Sequence, residues 1–130
     1  MSDIKKEQEE ALVTVYEYIE KLFAAIPKVC GELRAGGLPD TQEYLKAILN
    51  GVNFVTEVFN RTMDYVNADK QRLDKEVLNG YVIKFMEDYK QSLPAVTADA
   101  LENYILTYLM EFYDAIGEVC PEVKDGTEGE

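Results

Sequence analysis

"LVTVYEYIEKLFAAIPKVCGEL", residues 12 to 33, decides the fold. Its apolar residues Leu12, Val15, Ile19, Leu22, Ile26, Val29 and Leu33 alternate spacings of 3 and 4, the seven-residue repeat of a helix that buries one stripe. Tyr16, Phe23 and Cys30 widen that stripe to the breadth of a bundle helix, and Glu17, Glu20, Lys21 and Lys28 lie opposite, facing water. Pro27 stands inside the pattern without shifting its phase. A helix that ended and restarted there would lose the register, so the spacing predicts one bent helix. An interior proline removes a backbone hydrogen bond and crowds a carbonyl, here that of Phe23, at about 3 kcal/mol. On the outer face water satisfies that carbonyl, and a bend wraps the helix around its core. A structural kink thus accounts for Pro27 in full.

The pattern extends along the chain. "RAGGLPDTQEY" (34–44) ends the first helix: Gly36 and Gly37 suit a left-handed cap, and Asp40 with Glu43 three residues on forms a capping-box pattern for the second. The second helix repeats the seam at Leu45, Ile48, Val52, Val55, Phe59, Thr62 and Val66, flanked by Leu49, Val58 and Met63. "VNADKQRLD" (66–74) is a weaker break, in which Asn67 or Asp69 would cap a third helix and one long continuous helix stays open as an alternative. Leu73, Val77, Leu78, Tyr81, Val82, Phe85 and Tyr89 continue at helical spacing until "SLPAVTADA", where Pro94 closes the third helix and Thr97 caps the fourth. The fourth carries Leu101, Ile105, Tyr108, Phe112, Ile116 and Val119 on one face.

Four amphipathic helices with short connections predict an all-α, antiparallel up-down-up-down four-helix bundle with a kinked first helix. Residues 1–119 make the bundle domain, and residues 120–130, poor in apolar side chains, a disordered acidic tail. That topology sets Cys30 and Cys120 about 18 residues of helix apart, on the order of 27 Å, so they do not bridge.

Absences exclude most chemistry. The chain has no histidine, which removes Ser-His-Asp and Cys-His mechanisms, histidine-containing di-iron sites and ordinary zinc sites. It has no glycine-rich phosphate loop. Cys30 lacks a base to make it a thiolate and is read as a small core residue. No catalytic, metal-binding or cofactor-binding residue is therefore assigned, and the chain is read as not an enzyme. The amino terminus, "MSDIKKEQEE", has no apolar signal-peptide stretch, and no apolar run reaches the length of a membrane span, which predicts a cytoplasmic protein.

Twenty-five acidic against 13 basic residues give a net charge of −12, and nine acids against one lysine put −8 of it in residues 94–130. Nucleic acids and anionic membranes are excluded as partners, since both need a basic face. Carboxylates are the chemistry left. Glu17 and Glu20 with Glu111 and Asp114 resemble the paired acids with which all-helical nucleoside triphosphate pyrophosphohydrolases hold magnesium, but Glu17 and Glu20 fall opposite the buried seam. The outer stripe Glu111, Asp114, Glu118 and Glu122 opposes the macrodipole of its helix, by about 0.3 to 1 kcal/mol for each exposed acid. It reads either as a docking surface for a basic partner or as net charge for solubility.

Nine tyrosines and no tryptophan complete the unusual features. Tyr16, Tyr81, Tyr89, Tyr104 and Tyr108 fall on or beside core seams. Tyr18, Tyr44, Tyr65, Tyr113 and above all Phe54 fall at the margins, where a cluster marks an interface. The candidate partner-binding residues are accordingly Phe54, Tyr65, Val58, Glu111, Asp114 and Glu118. The hairpin "YIEKLFAAIPKVCGELRAGGLPDTQEYLKAILNGVNFVTEVF" resembles those of small uncharacterised helical proteins of Gram-positive bacteria and, more loosely, the flagellin export chaperone. That resemblance covers about residues 16 to 66 and implies a bundle that binds an extended or helical segment of a protein partner. The expected function is a non-enzymatic protein-interaction module acting as adaptor, chaperone or homo-oligomer. Two alternatives are an acidic nucleic-acid mimic that occupies a basic protein and a metal-dependent nucleotide pyrophosphohydrolase.

Overall fold

A computed structural model describes residues 2–123. All of its regular structure is helical: α1 (Ser2–Arg34), α2 (Thr41–Val66), α3 (Lys75–Tyr89), α4 (Pro94–Ala100) and α5 (Leu106–Val119). A π-helical turn, Leu101–Ile105, joins α4 to α5, and the backbone stays helical on both sides, at Ala100 and Leu106. The amide of Leu106 donates to the carbonyl of Leu101, the i→i+5 bond of a π-bulge, so Pro94 to Val119 is one helical segment with a bulge in it. The chain is thus a bundle-like assembly of four helical segments.

Both seven-residue seams are inside. Every seam residue of α1 from Leu12 to Leu33, and of α2 from Leu45 to Val66, is buried. α1 runs unbroken through Pro27, whose side is exposed, as the unshifted phase predicts. From the fourth segment, Leu101, Ile105, Tyr108, Leu109, Phe112 and Ile116 complete the core. Phe59 is its aromatic centre, with edge-on contacts to Tyr108 (5.6 Å) and Phe112 (5.3 Å).

Cross-helix contacts give the neighbours. Near the start of α1 and the end of α2, Gln8 Nε2 donates to the Arg61 carbonyl (3.2 Å) and Tyr65 donates to Glu9 (2.8 Å). At their other ends, Tyr44 donates to the Ala25 carbonyl (3.3 Å). Arg34, at the end of α1, forks onto Glu102 of the π-turn and also binds Asp99 of α4, while Tyr16 stacks on Tyr113 of α5 at 4.0 Å. α3 packs on α4, the π-turn and α5; α2 and α3 barely touch. A seam between α2 and α3 is left open.

The turns correct several sequence expectations. Gly36 and Gly37 do hold left-handed φ values of 98° and 88°. Asp40, however, makes no side-chain cap bond; Thr41 instead accepts from the Leu38 amide (2.7 Å) and donates to Glu32 (2.8 Å), tying the start of α2 to the end of α1. α2 and α3 are separate helices. With neither glycine nor proline to break them, the break is made by Asn67, whose carboxamide oxygen accepts from the amides of Arg72 and Leu73, and by Arg72, which donates to the Val66 carbonyl. Asp74, not Asn67 or Asp69, caps α3, accepting from the amides of Glu76 and Val77. Pro94 opens α4 at its first turn instead of closing α3, a position where its missing N–H has no intrahelical partner to lose. Thr97 lies inside α4 and is buried. Val77, expected on the buried face of α3, is 47% exposed. At the carboxy terminus Cys120 and Val123 are still buried, so packing continues past the expected boundary at residue 119; residues 124–130 of the expected acidic tail lie outside the described residues.

Candidate functional site

The six candidate contact residues do not form one surface. Val58 is buried, because α2 turns it toward the core beside Phe59, and it is withdrawn as a contact residue. Phe54 is 40% exposed and meets the edge of Tyr18 at 5.5 Å, away from the other four. Tyr65 and Glu118 line one crevice of about 570 Å3, with Ile4 and Val119 as its apolar walls and Arg72 at its base. Glu111, Asp114 and Glu118 line an adjoining hollow under Lys70 and Arg72.

Arg72 organises this end of the molecule. It binds Asp69 through both terminal nitrogens and Glu118 through Nε (3.1 Å), and Lys70 lies 3.7 Å from the same Glu118 oxygen. The guanidinium holds the Asp69 carboxyl down at about 2. Glu118 is thus paired within the chain by the segment between α2 and α3, where the sequence left a weak break or a continuous helix open. The stripe's unfavourable position against the helix dipole has this local offset. Glu111 has its own neighbour: its charge raises the Tyr81 phenol. Tyr65, half-buried and donating to Glu9, is pushed above its ordinary range by burial first and by Glu9 second.

Among the described residues the paired acids have separate surroundings. Glu20 accepts a 2.6 Å hydrogen bond from Tyr113, whose ring stacks on Tyr16 and meets Phe23 edge-on. Burial and that bond raise the Tyr113 phenol, so it stays a donor. Glu17 is exposed. Among the described residues no group of three or more acids or thiols is placed to hold a metal ion. Cys30, wholly buried, donates to the Ala98 carbonyl at 3.5 Å, and Cys120 is buried beyond the end of α5. Both thiols are free, and burial pushes each up to about 11, with Glu102 adding to it at Cys30 and Glu122 at Cys120. Neither is a nucleophile at neutral pH.

The feature that sequence reading missed is the open side of α3. Ile83 is 59% and Met86 43% exposed on its shoulder, although only Leu78 and Phe85 of that helix are buried. Both apolar residues fall outside the helical seam used to place α3, which was the available signal. No helix among the described residues is long and apolar enough to cross a membrane. No protein-family model matches the chain, and no curated protein or solved structure matches it.

Proposed function

We propose that the chain is a non-enzymatic interaction module, an up-down-up-down antiparallel bundle with α1 bent at Pro27, whose partner is a protein segment or a second copy of itself. The order of contacts supports the topology. Residues 8 and 9 meet 61 and 65 while 25 meets 44; Tyr16 meets Tyr113 while Arg34 meets Glu102. A cytoplasmic setting suits two free, buried thiols.

The observation that carries the interaction reading is the unclosed seam between α2 and α3, with Met86 exposed where it lines a cavity with Gln42 and Leu45 of α2, and Ile83 exposed three residues before it. A closed bundle covers such residues with its own neighbouring helix; here an amphipathic helix from outside has the same apolar surface to gain. The acidic-mimic alternative loses support because Glu118, central to the stripe, is already paired with Arg72 and Lys70. The pyrophosphohydrolase alternative loses support from the dispersal of its four carboxylates, with Glu20 engaged by Tyr113.

A photo-crosslinker in place of Ile83 should yield a product of defined mass, either a dimer in the pure protein or a conjugate in extract, and Met86→Glu should suppress it without changing the circular dichroism. A monomer by sedimentation at high micromolar concentration that also gives no crosslinked product would remove the reading.

A further inference from the structure

We propose that the half-open cavity at the end of the molecule where α1 gives way to α2 is a binding site for a small amphipathic carboxylate, its apolar body inside and its charge at Lys90. The cavity encloses about 520 Å3, within the range of roughly 300–1,000 Å3 of ligand pockets. Its walls come from separate elements: Leu33 of α1, Leu45 of α2, Met86 of α3 and Pro94 of α4. Leu33 and Leu45 are core residues whose outer surfaces form the floor. It sits at the end of the open α2–α3 seam, where two helices that barely touch leave an entrance.

Its charge is opposite to that of the molecule. In a chain of net −12, the lining holds one lysine, Lys90, and no carboxylate. An anion repelled by most of the surface meets its one local cation here. The polar groups point the same way. Thr97 is 4% exposed and lines the cavity together with Ser92, so its wall holds two hydroxyl-bearing side chains. At the rim Ser92 holds φ 58°, the one non-glycine residue with positive φ among those described. A single cation flanked by a hydroxyl matches a carboxylate; a phosphate or nucleotide needs a denser set of donors. The apolar walls select for a hydrocarbon or aromatic body.

This site goes beyond the interaction reading and does not rest on it: the two share Met86, but the titration uses the pure chain and reads the cavity through Leu33, Leu45, Thr97 and Lys90, which the docking surface does not include. The experiment is an NMR titration of the labelled full chain with octanoate, using octan-1-ol and octylamine as neutral and cationic counterparts. Octanoate should give saturable shifts confined to Leu33, Leu45, Met86 and Thr97 and bind more tightly than either counterpart. Lys90→Gln should weaken octanoate about fivefold and leave octan-1-ol unchanged, the effect expected of an exposed ion pair. Thr97→Val should weaken octanoate too; if that variant fails to fold, Met86→Gln, at a half-exposed position, replaces it and should weaken octanoate and octan-1-ol together. No saturable shift at millimolar octanoate, shifts centred elsewhere, or equal octanoate binding by Lys90→Gln would each overturn the proposal.

Discussion

α2 buries eleven of its 26 residues, whereas α3 buries two of 15. The two helices follow one another in the chain and were both laid out by apolar spacing, yet they relate to the core differently. α2 lies in a groove made by α1 and the fourth segment, so its whole seam is enclosed. α3 leans mainly on the fourth segment, and its second shoulder stays open. Amphipathic spacing states that a helix has an apolar face; how much of that face is covered depends on the number of neighbours it finds. The core's stability therefore resides with α1, α2 and the fourth segment, and α3 is the element that opens first.

Two truncations test that contrast most strongly. Phe59→Ala removes a fully buried ring wedged between Tyr108 and Phe112 and should cost about 3–5 kcal/mol, lowering the midpoint of a single cooperative denaturant transition. Phe85→Ala should cost less, about 2–3 kcal/mol, because one flank of α3 can settle into the space. Its amides, from Lys75 to Tyr89, should exchange with solvent well before those of α2. Equal losses from the two substitutions, with equal amide protection, would break the comparison.

A smaller effect comes from pH. The Cys30 and Cys120 thiols are held up at about 11 by burial, and burial also raises the Tyr108 phenol, to about 12. Each group binds its proton more tightly when folded than when unfolded. The thiols' contribution is therefore fully present below their unfolded value near 9 and is lost as pH rises toward 11, and that of Tyr108 is lost between about 10 and 12. Thermal midpoints should be flat from pH 7 to 8 and fall above 9. Cys30→Ala with Cys120→Ala should flatten part of that fall. Both thiols should resist an aromatic disulfide reagent at neutral pH until the chain is denatured; rapid reaction of either would contradict its burial.

These outcomes also show how far the sequence could be read. The seams of α1 and α2 were legible to the residue, because burial on one face leaves a periodic trace and Pro27 did not disturb it. The turn at Gly36 and Gly37 was legible because positive φ selects glycine. The break at 67–74 was ambiguous because it is made by side-chain bonds from Asn67, Arg72 and Asp74, residue types equally at home on a helix surface. The fourth segment's π-turn left no distinct trace in the apolar spacing. Of the candidate contact residues, Glu118 was visible as charge but not as a partner of Arg72, since ion pairs across 46 positions have no local signature. Val58 misled because an apolar flank looks the same whether a neighbouring helix covers it or not.

Ser92→Gly gives a modest gain. Removing the side chain from a residue at φ 58° relieves about 1–2 kcal/mol of left-handed strain, against about 0.4–1 kcal/mol of added freedom in the unfolded chain. A net stabilisation of about 0.5–1 kcal/mol should appear as a small rise in the thermal midpoint. Because Ser92 ends the turn after α3, the same variant should slow the exchange of the last α3 amides.

The smallest net effect bears on why α1 and α2 close while α2 and α3 do not. Gly51 lies within α2 where the Tyr18 ring of α1 crosses it, and a β-carbon there would collide with the Tyr18 hydroxyl and ring. Glycine in a helix interior costs about 1 kcal/mol relative to alanine, so Gly51→Ala should recover about that much helix propensity. Swinging Tyr18 away should cost a similar amount, since its contact with Phe54 is lost and its ring is displaced. The stability change should therefore stay within about 1 kcal/mol of zero. The Tyr18 and Phe54 ring resonances should nevertheless move strongly, and Phe54 should become more accessible. Unmoved aromatic resonances would mean that the close approach of α1 to α2 does not depend on this glycine.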